Sequence, residues 1–129
     1  MGSWDPTCQG IVQSNPTMEA VFIADVEGNL YGTSDRAKWA PSQEEAKNIA
    51  TTLTNERADP ALVVQGEKFM FIRRNDNTII GKKADKAIVG IATSKIVIVA
   101  RVDEGKVKNS GNALVALGTL HNHYENSGY

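Results

Sequence analysis

Residues 61–102 read ALVVQGEKFMFIRRNDNTIIGKKADKAIVGIATSKIVIVARV, and their pattern decides the fold. Five short runs stand out: Ala61 to Gln65, Lys68 to Arg73, Thr78 to Lys82, Lys86 to Ala92 and Ile96 to Val102. Val, Ile and Phe recur in them, and such side chains suit a pleated, partly buried surface. The gaps between runs, such as Asn75-Asp76-Asn77, are too brief for helical crossovers, so consecutive runs must pair antiparallel as a meander.

Toward the N-terminus the signals change. Ser42-Gln43-Glu44-Glu45 is a capping box, because the Ser hydroxyl and the Glu carboxylate can each satisfy the other's backbone N–H. Ala46, Ile49, Ala50 and Leu53 follow at offsets 0, 3, 4 and 7, one buried helical face, and the helix should end near Asn55. Ahead of it, Ala20 to Asp25 reads as a strand, Glu27-Gly28-Asn29 as a turn and Leu30 to Ser34 as the hairpin partner. Asp5-Pro6 reads as an N-cap followed by proline at the first helical position, opening a short helix through about Gln13. Beyond the meander, a last helix from about Asn112 to Tyr124 carries Leu114, Leu117, Leu120 and Tyr124 on one apolar face. The expected fold class is α+β: a central antiparallel sheet with the N- and C-terminal helices packed together on one face and a further helix on the other.

With 129 residues, 41% hydrophobic and 22% charged, the chain suits one globular domain over residues 1–129 and not a disordered or collagenous segment. The longest apolar stretch, Ile96 to Ala100, is far short of the roughly 20 residues a bilayer-spanning helix needs. The polar opening does not read as a signal peptide, and Pro6 stands where a myristoylation signal wants Ser or Thr, so a chain that is neither exported nor lipidated is expected. A single cysteine, Cys8, cannot form an internal disulfide, and Asn15-Pro16-Thr17 is barred from glycosylation by its proline; both fit a reducing cytosol. The net charge of −1 hides a polarity along the chain. Residues 1–64 carry nine acids and four bases, whereas residues 65–129 carry six acids and ten bases. A basic half can meet an acidic protein, anionic lipid headgroups or nucleic acid, or simply be a solvated sheet face.

Enzyme signatures fail on inspection. Gly81-Lys82-Lys83 has no glycine at position 76 and puts Lys83 where a phosphate loop needs Ser or Thr. His121 and His123 lie two residues apart on a helix, so their rings diverge by about 200° and cannot share a metal. Cys8, with no histidine near it in sequence, reads as a small buried hydrophobe. No catalytic set, metal site or cofactor is expected.

The order of motifs nevertheless resembles one family, profilin. Gly66-Glu67-Lys68-Phe69-Met70-Phe71-Ile72-Arg73, Ile80-Gly81-Lys82-Lys83, Thr93-Ser94-Lys95 and the closing Gly128-Tyr129 resemble its second half. Ser3-Trp4, Ala20-Val21-Phe22-Ile23 and Gly28-Asn29-Leu30-Tyr31 resemble its opening. The resemblance implies a cytoplasmic, cytoskeletal, monomeric protein that binds monomeric actin and proline-rich proteins, responds to phosphatidylinositol bisphosphate lipids, and binds no nucleic acid. By position it implies a polyproline groove of Trp4, Tyr31, His123, Tyr124 and Tyr129, and an actin face of Lys68, Met70, Ile72, Arg73, Lys82, Lys83, Asn109 and Gly111. Aromatic faces would pack on the prolyl rings while indole and phenol groups bond the ligand's free carbonyls. Thr7 and Tyr31 stand where the family usually has tyrosine and tryptophan, so weaker polyproline binding is expected. The alternative is a small dimerising scaffold of similar architecture, of the trafficking or signalling type, that binds no actin.

Overall fold

The computed structural model describes residues 4–15, 18–55, 60–75, 77–83, 86–103 and 110–128, without the side chains of residues 75, 103 and 110–114. Among the described residues, three helices and seven strands follow in the order α1 (Asp5–Ser14), β1 (Met18–Asp25), β2 (Leu30–Thr33), α2 (Gln43–Thr54), β3 (Leu62–Val64), β4 (Glu67–Asn75), β5 (Thr78–Lys83), β6 (Lys86–Ala92), β7 (Ile96–Asp103) and α3 (Ser110–Asn126). The strands form one antiparallel sheet in the order β2-β1-β7-β6-β5-β4-β3. The meander and the first hairpin are as expected. What joins them is the pairing of β1 with β7, with Val21 opposite Ala100 and Ile23 opposite Ile98.

That central position explains why β1 and β7 are runs of apolar residues and not alternating ones. Helices cover both sheet faces, so every residue from Val21 to Ala24 and from Ile96 to Ala100 is fully buried. On one face Cys8 and Ile11 of α1 and Leu117 and Tyr124 of α3 pack over Val21, Ile23, Val89 and Ile98. On the other, Ala46, Ile49, Ala50 and Leu53 of α2 pack over Phe22, Ile88, Val97 and Val99. Each fully buried Ile or Leu in these layers contributes about 1.5–3 kcal/mol. The expected arrangement, two terminal helices on one face and one on the other, is the one observed. Helix ends fall within two residues of the expected positions for α1, α2 and α3, and Leu114 lies outside the described side chains.

The capping box forms in both directions: Ser42 Oγ accepts from Glu45 N at 3.2 Å and Glu45 Oε1 accepts from Ser42 N at 3.0 Å. The same carboxylate accepts from Gln65 N (2.8 Å) and Gly66 N (3.0 Å) in the β3–β4 turn. Burial alone would raise the Glu45 pKa, but the hydrogen bonds from Gly66, Ser42 and Gln65 outweigh it and hold the group below the usual carboxylate range. They also stabilise a two-residue turn whose φ angles, 50° at Gln65 and 80° at Gly66, are both left-handed.

Two features had no signal in the local pattern. Trp39, in the segment between β2 and α2, is 1% exposed, donates Nε1–H to Val99 O at 3.2 Å and packs between the rings of Phe22 and Phe69. In β4 the register with β5 slips, so that Phe71 faces Gly81 but Arg73 faces Ile80, leaving Ile72 as the extra residue of a bulge.

Candidate functional site

Two surfaces carry the residues singled out in the sequence. The first is built where α1 begins. Asp5-Pro6 is not an N-cap and N1 pair: the cap position is Trp4, and Asp5 and Pro6 open the helix. The Asp5 carboxylate is engaged elsewhere, which is the physical reason. Its Oδ1 accepts from Thr33 N at 2.9 Å and from Arg36 Nη2 at 2.9 Å, and its Oδ2 accepts from Arg36 Nε. Trp4 N donates to Tyr31 O at 3.0 Å, so the start of α1 is bonded along the outer edge of β2. Gly32 makes that approach possible. A Cβ there would stand 2.3 Å from the Trp4 carbonyl carbon and 2.6 Å from Asp5 N.

The consequence is a row of rings. Trp4 lies 5.3 Å from Tyr31, tilted by 56°, and 5.6 Å from Tyr124, tilted by 32°. His123 continues the row at 5.1 Å from Tyr124, edge on. These separations lie in the range where aromatic pairs attract, each by about 0.5–1.5 kcal/mol beyond burial. Trp4 and Tyr31 also pack on the edge of the α1/α3 core, so the core role and the surface role coexist in the same side chains. Tyr124 is mostly buried and His123 is exposed. Thr7, one helical turn after Trp4, is exposed and adds no ring. Tyr129 lies outside the described residues.

The second surface is on β4 and β5. Phe69 points into the α2 core, so Lys68 and Met70 point to the opposite face, the one that carries α1 and α3. Lys82 pairs directly with Met70 and shares that face. Alternation alone would send Ile72 and Arg73 to opposite faces. The bulge sets both against Ile80, which belongs to the α1/α3 side, and both are exposed. Met70 is 68% exposed and Ile72 48%, an apolar pair ringed by Lys68, Arg73 and Lys82. Lys83 is not part of this group. It alternates to the other face, where Glu67 takes its ammonium at 3.4 Å. Gly111 belongs to the first turn of α3, and Asn109 lies outside the described residues. Val115 of α3, which falls off the Leu117, Leu120 and Tyr124 stripe, is 72% exposed.

The remaining candidates have local structural partners. Cys8 is fully buried, and burial pushes its thiol up to about 12, with the nearby Asp5 charge adding to the effect. His121 Nε2 meets Glu125 Oε2 at 2.9 Å, one turn along α3, while His123 sits against Tyr124; the two imidazoles serve different neighbours.

A small α+β protein with a ring row at one end of its sheet and a cation-ringed apolar patch toward the other is the class these features define. The profilin family model matches residues 2–129, and the chain belongs to the profilin family. It is 27% identical over 132 residues to a profilin of Naegleria pringsheimi, a match that covers 92% of this chain and 98% of that relative. Its fold is similar to that of Acanthamoeba castellanii profilin IA, with a TM-score of 0.79, 22% identity, and coverage of 98% of this chain and 100% of that one. It is also similar to LokiProfilin1, solved in complex with rabbit actin, with a TM-score of 0.67 and 14% identity over 94% of this chain and 98% of that one.

Proposed function

We propose that this profilin binds monomeric actin, regulates filament assembly, and holds proline-rich peptides at the same time, acting as a non-enzymatic, single-domain adaptor of the cytoplasm and cytoskeleton. Membership of the family supports the reading, as does the LokiProfilin1 complex with rabbit actin. The observation that carries it is the separation of the two surfaces. The ring row stands at the β2 end of the strand order and the Lys68, Met70, Ile72, Arg73 and Lys82 patch at the β4/β5 end. Neither ligand would cover the other's site.

The chemistry of each fits its partner. A polyproline II helix is extended before binding and offers flat rings and unpaired carbonyls, so a row of Trp4, Tyr31, Tyr124 and His123 would bind it at small entropic cost, with Tyr129 a further candidate by family position. An apolar centre at Met70 and Ile72, with cations around it, suits an acidic protein surface: the centre supplies burial and the rim supplies steering. Gly111, in the first turn of α3, and Asn109 are further candidates for contact with actin, whereas Lys83, on the opposite sheet face beside Glu67, would contribute charge and not a direct contact on this patch. The cations also suit phosphatidylinositol bisphosphate headgroups, which would then compete with actin.

Two titrations test the proposal. Decaproline added while the fluorescence of Trp4 is followed should saturate, with weaker affinity than a profilin that carries Tyr and Trp at the Thr7 and Tyr31 positions; equal or tighter binding contradicts the groove as drawn. Gel filtration with and without monomeric actin should show a monomer that shifts into a complex. A dimer that ignores actin would instead favour a scaffold.

A further inference from the structure

We propose that the Asp5–Arg36 ion pair is a positioning device for the ring row: it fixes the Trp4 indole between Tyr31 and Tyr124 and so sets the affinity for proline-rich ligands without touching them. The inference rests on the polyproline reading of that row. Trp4 occupies the cap position of α1, but its side chain makes no capping hydrogen bond, so capping does not orient the indole. Contacts from outside the helix reach this end of it. The Trp4 N–H is bonded to Tyr31 O, and the next residue, Asp5, spans two elements at once. One carboxylate takes the outward-facing Thr33 N–H of β2 and both the Nε and Nη2 of Arg36 from the segment after β2.

The fork geometry matters here. A guanidinium that donates through two nitrogens fixes the plane of the carboxylate, and with it the direction of the Asp5 Cα–Cβ bond and of the neighbouring Trp4 backbone. A lysine at position 36 would supply the charge without the plane. Arg36 itself has a side chain 55% exposed, against 23% for Asp5, so the pair adds little to global stability. Its value lies in order. A row of rings already held 5.3 and 5.6 Å apart loses less freedom when a ligand docks than one in which the indole swings. Arg36 lies outside every motif of the sequence resemblance, and its role is visible only once the chain is folded.

Four variants test this: Arg36→Met, Arg36→Lys, Asp5→Ala and, as a reference, Trp4→Ala. Three readouts are needed: decaproline affinity, thermal midpoint, and acrylamide quenching of tryptophan emission. Quenching reports on Trp4, because Trp39, the second of the two tryptophans, is sealed in the core. Arg36→Met should leave the midpoint near wild type, raise quenching, and weaken decaproline binding about threefold or more, the scale of an exposed pair with good geometry. Arg36→Lys should recover only part of that loss. Asp5→Ala should lose more, since Thr33 N–H also loses its acceptor. If Trp4→Ala abolishes binding while Arg36→Met binds and quenches as wild type does, the positioning role is wrong. If Trp4→Ala binds decaproline as well as wild type, the groove reading itself fails, and the positioning role falls with it.

Discussion

Replacing Gly32 by alanine would add one methyl group where the fold has no room for it. The new Cβ would stand 2.3 Å from the Trp4 carbonyl carbon, 2.6 Å from Asp5 N and 2.7 Å from Trp4 Cβ. Non-bonded carbons settle at about 3.5–4.0 Å, so the start of α1 must retreat from β2 by about 1.2 Å or more. Two of the three crowded atoms are backbone, so no change of rotamer relieves them. A retreat of that size stretches the 3.0 Å bond from Trp4 N to Tyr31 O beyond hydrogen-bonding range. Overpacking costs about 1–3 kcal/mol, and the lost backbone bond adds about 1 kcal/mol. The expected destabilisation is therefore about 2–4 kcal/mol, measured by urea denaturation at constant slope. Because the same movement carries Trp4 away from Tyr31, decaproline affinity should fall in the same variant. A loss of stability under about 0.5 kcal/mol with unchanged affinity would refute the reasoning, since it would mean that α1 does not rest on Gly32.

Gly118, in the interior of α3, has nothing within 4 Å of the position that an added methyl group would take, so Gly118→Ala should stabilise the protein by about 0.5–1 kcal/mol in the same assay; destabilisation would mean that α3 packs differently there. Cys8 has its folded pKa raised from the ordinary 9.0 to about 12, chiefly by burial, so the neutral thiol is the form that folding favours. Its contribution is complete below about pH 9 and is lost as pH climbs toward 12, so wild-type stability should fall more steeply over that window than that of Cys8→Ala; parallel profiles would contradict the burial of the thiol. Arg73→Glu should weaken actin binding about tenfold or more, mainly through association rate, and leave the unfolding midpoint nearly unchanged because the side chain is exposed. Wild-type affinity in that variant would move the interface elsewhere.

How much could be read in advance follows the distance over which each feature is determined. The Ser42–Glu45 box, the Ala46, Ile49, Ala50 and Leu53 face and the meander are local, and each was legible from spacing and residue type. The β1–β7 pairing joins residues about eighty positions apart and leaves no local mark beyond two unusually apolar strands. The bulge at Ile72 was hidden for a related reason: Phe71-Ile72-Arg73-Arg74 alternates plausibly in either register, and only the partner strand decides. Trp39 carries a hydrogen bond and two ring contacts in the core from within a connecting segment, where no periodicity exists to announce it. For the ring row, residue type and family resemblance gave Trp4, Tyr31, His123 and Tyr124. The supports, Gly32, Asp5 and Arg36, were not read as such, because a glycine that admits a neighbouring backbone and an ion pair across thirty residues have meaning only in three dimensions.

Sedimentation velocity on a mixture of the protein, monomeric actin and a fluorescently labelled decaproline would probe the two-surface adaptor at its root. Label moving with actin at the mass of a three-component complex, with actin leaving the peptide's affinity unchanged, is the expected result. Release of the peptide as actin is added, or a peptide complex that never takes up actin, would contradict it.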